Sequence, residues 1–111
     1  MMKSLFQSGT AGGLPKLNSN LHNALANGTL ENNTDLNDAH SLGSWFLSRS
    51  YTYAHSPLPS NTWGVMTVLS HGTTNTNIKH QVILTGTTTI YFRYFDGSSW
   101  GSWYKLTGTV V

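Results

Sequence analysis

The groups in this chain that could do chemistry are four carboxylates, five histidines and thirteen aromatic rings. Acid-base cleavage of a glycoside needs two carboxylates at a set separation, and the acids on offer are Glu31, Asp35, Asp38 and Asp96. Three of them crowd into one Asn-rich stretch with nothing apolar beside them to raise a pKa, so that stretch reads as a loop with a solvated acidic face. A hydrolytic triad needs a nucleophile on a sharp turn beside a histidine, yet the chain has no Gly-x-Ser-x-Gly and no cysteine. His22, His40, His55, His71 and His80 form no spaced ligand pair on any expected element, which makes hydrogen-bonded or surface histidines the plainer account. His71 and His80 flank a hairpin-like loop and could approach one another, and three copies of His22 could meet in a bundle. No catalytic residue, metal ion or cofactor is expected.

The rings say more. Tyr51, Tyr53, Trp63, Tyr91, Tyr94, Trp100, Trp103 and Tyr104 outnumber what one small core can bury, so some must face water, a ligand or a neighbouring chain. Each ring taken singly is better explained by core or interface. Together, flanked by Asn, Thr and Asp, they suit a sugar: a flat ring covers the apolar C–H face and short polar groups bond the hydroxyls. The candidate ligand-binding residues are Tyr51, Tyr53 and His55 at a strand end, with Asp96 and Trp100 near the last hairpin.

The elements that must position these groups follow from composition and spacing. A chain of 111 residues fits one domain, and only 9% of it is charged, against roughly 25% in an average soluble domain. Ser, Thr, Asn and Gly supply 49 of the residues, the mixture of pleated strands and tight turns. The net charge of +2 comes from scattered residues without a Lys or Arg run, which argues against nucleic acid as a partner. No apolar run approaches the ~18 residues of a membrane span, so membrane insertion is not expected either.

Residues 1–13 read as a glycine-rich linker. Leu14, Leu17, Leu21 and Ala24 then fall at intervals of three, four and three, placing them on one face of a short helix that Asn27-Gly28 can end. The 14–33 segment is therefore expected to hold a helix whose stripe packs on its own domain or forms an inter-chain seam. From residue 34 the pattern is that of strands: Trp45 to Tyr53, Trp63 to Leu69, Ile78 to Thr85, Thr89 to Phe95 and Trp100 to Leu106. Asp96-Gly97 between aromatic strands marks a hairpin. The fold expected is mainly β, a short N-terminal helix followed by a small antiparallel sheet or sandwich of about five strands over 34–111.

Residues Thr34 to Leu106 carry an ordered set of motifs. Asp35-Leu36-Asn37 precedes Gly43-Ser44-Trp45-Phe46; Pro57-Leu58-Pro59 is followed by Gly64-Val65-Met66-Thr67-Val68; His80-Gln81-Val82 leads to Tyr91-Phe92-Arg93, Asp96-Gly97 and Trp100-Gly101-Ser102-Trp103-Tyr104-Lys105-Leu106. This order resembles the pyocin knob domain of phage tail fibres and of the fibres of tailed bacteriocins. It departs from the family at Ser44-Trp45, where an aromatic pair more usually follows the glycine. The resemblance implies a homotrimeric fibre segment near the tip, joined to the rest of the tail fibre in the virion and concerned with host attachment. It implies no catalytic residues. With the ring excess, it leads to the expectation of a tip domain that binds a host cell-surface glycan; the alternative is a structural module that only trimerises and caps the fibre.

Overall fold

The computed structural model describes residues 27–70 and 77–111. They build one open antiparallel sheet of five strands in the order of the chain: β1 Gly43–Leu47, β2 Gly64–Ser70, β3 Lys79–Thr85, β4 Thr89–Phe95 and β5 Tyr104–Thr107. Of the two arrangements expected, the sheet is therefore the one formed, and the described residues contain no second layer of strands. The helix with Leu14, Leu17, Leu21 and Ala24 lies outside the described residues. The end of that segment, 27–33, is described, and it is an extended arm rather than helix.

Three of the strands match their expected spans closely because their side chains alternate without interruption. The first and last differ for local reasons. β1 stops at Leu47, where Ser48 turns the chain: its carbonyl accepts from the Tyr51 amide and its hydroxyl from the Ser50 amide. Residues beyond Tyr51 leave the sheet and meet the arm in a parallel bridge between Asp35 and Ala54. Asp96-Gly97 does form the hairpin turn, with Gly97 at φ 99° and the Asp96 side chain accepting from the Ser98 and Ser99 amides. Regular pairing nevertheless resumes only at Tyr104.

The pleat sorts the strands into an inner and an outer face. Trp45, Leu47, Met66, Val68, Gln81, Ile83, Tyr91 and Arg93 point inward, as their cross-strand pairs require. Leu36, Leu47, Tyr53, Met66, Val68 and Ile83 form the buried core, with Leu30, Leu58, Tyr91 and Trp103 packed around it. The arm and the 48–63 connection cover this face. Asn27, Gly28 and Leu30 also bond the outer edge of β1, and Leu36 docks as the buried residue of a single 3-10 turn, Leu36–Asp38. The outer face carries Phe46, Leu69, Leu84 and Ile90, with Tyr94, Tyr104, Leu106 and the flanking Trp63; all eight are substantially exposed. Phe92 stacks on Tyr104 and Phe46 lies against Trp63 across this face.

Gly64 sits where core and sheet are closest. A Cβ there would come within 2.6 Å of Ile83 Cγ2 and 3.1 Å of the Leu84 carbonyl oxygen. Ile83 is β-branched and fully buried, so it has no spare rotamer in which to retreat. Gly64→Ala is expected to destabilise the fold by roughly 1–3 kcal/mol, the usual range for overpacking, as read from the midpoint of urea unfolding at unchanged slope.

Candidate functional site

The inner layer that positions the candidate site is built around Arg93, a buried cation on the inner face of β4. Its guanidinium lies between two indoles, 4.3 Å from the Trp100 ring centroid and 4.4 Å from that of Trp103. Two residues three apart on a regular strand point to opposite faces. Trp100 and Trp103 share a face because the chain leaves the ladder between them, after Trp100 has bridged to Phe95 and Gly101 has bonded the Tyr94 carbonyl. That irregularity is why β5 begins late, and it closes the clamp on Arg93.

The clamp ties the arm to the sheet. Arg93 Nε donates to Gln81 Oε1 at 2.7 Å and Nη1 donates to Asn37 Oδ1 at 2.8 Å. Gln81 is itself fully buried, and its amide nitrogen donates to the carbonyls of Leu36 and Ala39. Trp100 Nε1 donates to the Asn37 carbonyl, and Trp103 Nε1 to the His55 carbonyl. Nη2 is buried without a hydrogen-bond partner, so the ring faces are what hold it. Burial pushes the Arg93 guanidinium down to about 10, partly opposed by the charge of Asp35. Apart from Nη2, the polar atoms of this assembly are consumed by one another and by backbone carbonyls, which makes it structural.

The five candidate ligand residues fall into separate environments. Tyr53 is buried; its hydroxyl donates to the Leu30 carbonyl and accepts from the Ser48 amide. His55 stands in the left-handed region at φ 59°, with Nδ1 2.7 Å from Asp35 Oδ1. Trp100 is half-buried, stacked on His40 and on Arg93. Asp96 caps its own turn at the opposite end of the sheet from Tyr51, because the β4–β5 hairpin and the β1–β2 connection leave from opposite ends of the register. Tyr51 is exposed and rests edge-on against Tyr53 at 6.4 Å. The structure thus joins Tyr51 to Tyr53 and separates both from Asp96.

Around Tyr51 the structure forms a cup of about 160 Å³ that residue spacing did not reveal. One wall is the turn Ser48, Arg49, Tyr51 and Thr52; the other is the proline-bearing loop with Ser56, Ser60, Asn61 and Thr62. Tyr53 and Leu58 form the floor nearest the core. Asn61 holds the second wall at φ 62°, a conformation that asparagine accepts more readily than most residues. The sequence signal for this wall is Pro57-Leu58-Pro59, which stands in the sequence only as one member of the ordered set of motifs. Among the described residues no cluster of three or more metal-ligating side chains occurs.

No family model, curated protein or solved structure matches this chain.

Two outcomes follow from the geometry. Arg93→Met keeps the length of the side chain but removes two charge-assisted hydrogen bonds and the cation between the indoles. It should destabilise the fold by about 3 kcal/mol, with loss of the near-ultraviolet circular dichroism of the paired tryptophans on mild heating. Acid gives the second. The Asn37 amide, and after it His55, holds the Asp35 carboxyl below its ordinary 3.8, and the Ser99 and Ser98 amides do the same for Asp96. Because the unfolded chain then binds the extra protons first, this stabilisation is complete above about pH 4 and is lost as pH falls through the lower folded-state values. The double variant Asp35→Asn, Asp96→Asn should show a flatter fall of melting temperature between pH 5 and pH 2 than the unaltered chain.

Proposed function

We propose that this chain is an attachment domain at the tip of a phage tail fibre, assembled in three copies on the virion, and that it binds a saccharide of the host cell surface. The observation that carries this reading is the cup at the β1–β2 end of the sheet. Hydroxyl and amide groups of Ser48, Ser56, Ser60, Asn61 and Thr62 surround one exposed phenol, Tyr51, and Arg49 is the charged residue of the lining. Short hydroxyl and amide groups donate and accept in the same place, as the alternating donors and acceptors of a sugar edge require. The Tyr51 ring supplies the flat apolar surface for the C–H face.

The cup is well below the roughly 300–1,000 Å³ of small-molecule pockets. It therefore takes one sugar residue at the end or side of a chain and leaves the remainder in solvent. A contact of that size is weak alone, and several copies on one fibre raise the binding by effective concentration. The resemblance of the Asp35 to Leu106 motifs to the pyocin knob supports placing the domain on a fibre. A purely structural, trimerising module is the second reading, and the outer face of the sheet, which no described segment covers, favours it.

The two are separated by binding to whole cells and to extracted envelope glycans. Tyr51→Ala combined with Asn61→Gly, which preserves the left-handed backbone, should lower glycan binding at least tenfold while the melting temperature stays within a few degrees. Binding unchanged in that variant rejects the cup, and fibres that ignore both cells and glycans leave the structural module.

A further inference from the structure

The strand sequences are apolar on both sides. On β2, Met66 and Val68 face the core while Val65 and Leu69 face out; on β3, Ile83 faces the core while Val82 and Leu84 face out. Such two-sided strands belong to sheets covered on both faces. Across all five strands the outer face carries no Lys, Arg, Asp or Glu, and His80, paired with Tyr94, is its only basic side chain. The eight large side chains on and beside it are between 37% and 61% exposed. Taking about 200 Å² for a fully exposed large residue, they present on the order of 750 Å². This exceeds the largest apolar patch of an ordinary monomer, roughly 300–600 Å². It equals one partner's share, about 800 Å², of a stable protein interface.

We infer that the outer face of the sheet is the surface on which copies of this chain pack against one another. A charge-free face matches itself without leaving a charge unpaired, and a twisted sheet packs on a second sheet about 10 Å away with interdigitating side chains. The second copy supplies the layer that the strand pattern requires. Around a three-fold axis the like faces of three copies turn inward on one another, so Leu84 and Leu106 of each copy enter one shared core. This moves the expected seam from the Leu14, Leu17, Leu21 and Ala24 stripe to the sheet. It deepens the fibre reading by naming the contact surface, and it rests on that reading only for the number of copies; the saccharide cup, at the β1–β2 end of the sheet, is not part of it.

The test is sedimentation of the full chain at two concentrations, beside Leu84→Lys and Leu106→Lys, each with glycan binding measured in parallel. The unaltered chain should sediment as an oligomer, and either lysine should raise the dissociation constant at least a hundredfold without altering glycan affinity per chain. A chain that is monomeric throughout the micromolar range overturns the inference. So does an oligomer that survives both lysines but dissolves on Leu17→Asn, Leu21→Asn, which places the seam in residues 1–26. Loss of glycan binding with intact assembly, by contrast, strikes only the saccharide reading. Should the lysine variants fail to fold, hydroxyl-radical footprinting of the unaltered chain decides. Protection of Leu69, Tyr94 and Tyr104 should grow with concentration, and protection that stays constant refutes the interface.

Discussion

Everything in the inner layer converges on the guanidinium of Arg93. A cation taken out of water with no carboxylate at ion-pair distance would ordinarily be expelled or neutralised. Here two indole faces and two neutral oxygen acceptors replace its hydration, and these four partners come from three separate parts of the chain. Gln81 comes from the neighbouring strand, Asn37 from the arm, Trp100 and Trp103 from the irregular start of β5. Satisfying one charge thus requires the arm, the sheet and the last hairpin to be in register at the same time. In a domain without disulfides and with a small aliphatic core, that mutual requirement takes the place of a larger hydrophobic interior.

The division of labour between faces follows. The inner face, with its buried polar network, admits only one arrangement and fixes the geometry of the arm and loops. Its loop layer includes the turn at Ser48 and the proline-bearing loop that shape the cup around Tyr51. The outer face is flat, uncharged and repetitive, suited to contact with another layer of protein rather than to discrimination among ligands. One side of the sheet therefore builds the domain and shapes the cup, while the other is the face proposed for contact between copies.

Much of the sheet was legible in the residues. Alternation placed β2, β3 and β4, and Asp96-Gly97 placed the hairpin between β4 and β5. What could not be read was where the alternation stops mattering. Trp45 to Tyr53 looks like one strand because Tyr51 and Tyr53 continue its period, but the Ser48 turn breaks the ladder using hydrogen bonds that have no signature in hydrophobicity. Trp100 and Trp103 looked like part of a strand, and their three-residue spacing was the clue to the kink that puts both on one face. Arg93, a lone charge in an aromatic strand, carries no sign of burial in its own spacing; only its partners reveal it as buried. The candidate ligand residues were chosen for ring chemistry, and the structure sorts them by neighbour: Tyr53 and Trp100 spend their polar atoms within the domain, and Tyr51 remains open. The apolar character of Val65, Leu69, Val82 and Leu84 on the outward side was visible throughout, and the proposed contact between copies rests on it.

The arm has one more effect, on how the sheet could grow. Asn27 to Leu30 already hydrogen-bonds the outer edge of β1 at Ser44 and Phe46, whereas the outer edge of β5 meets no other strand among the described residues. The arm turns one long template into a short one, since Thr29 is its one residue that bridges β1 among the described residues, and Lys105 stands midway along the other flank. One flank thus offers an incoming strand only a short, irregular template and the other a charged one, two devices by which open sheets resist edge-to-edge growth.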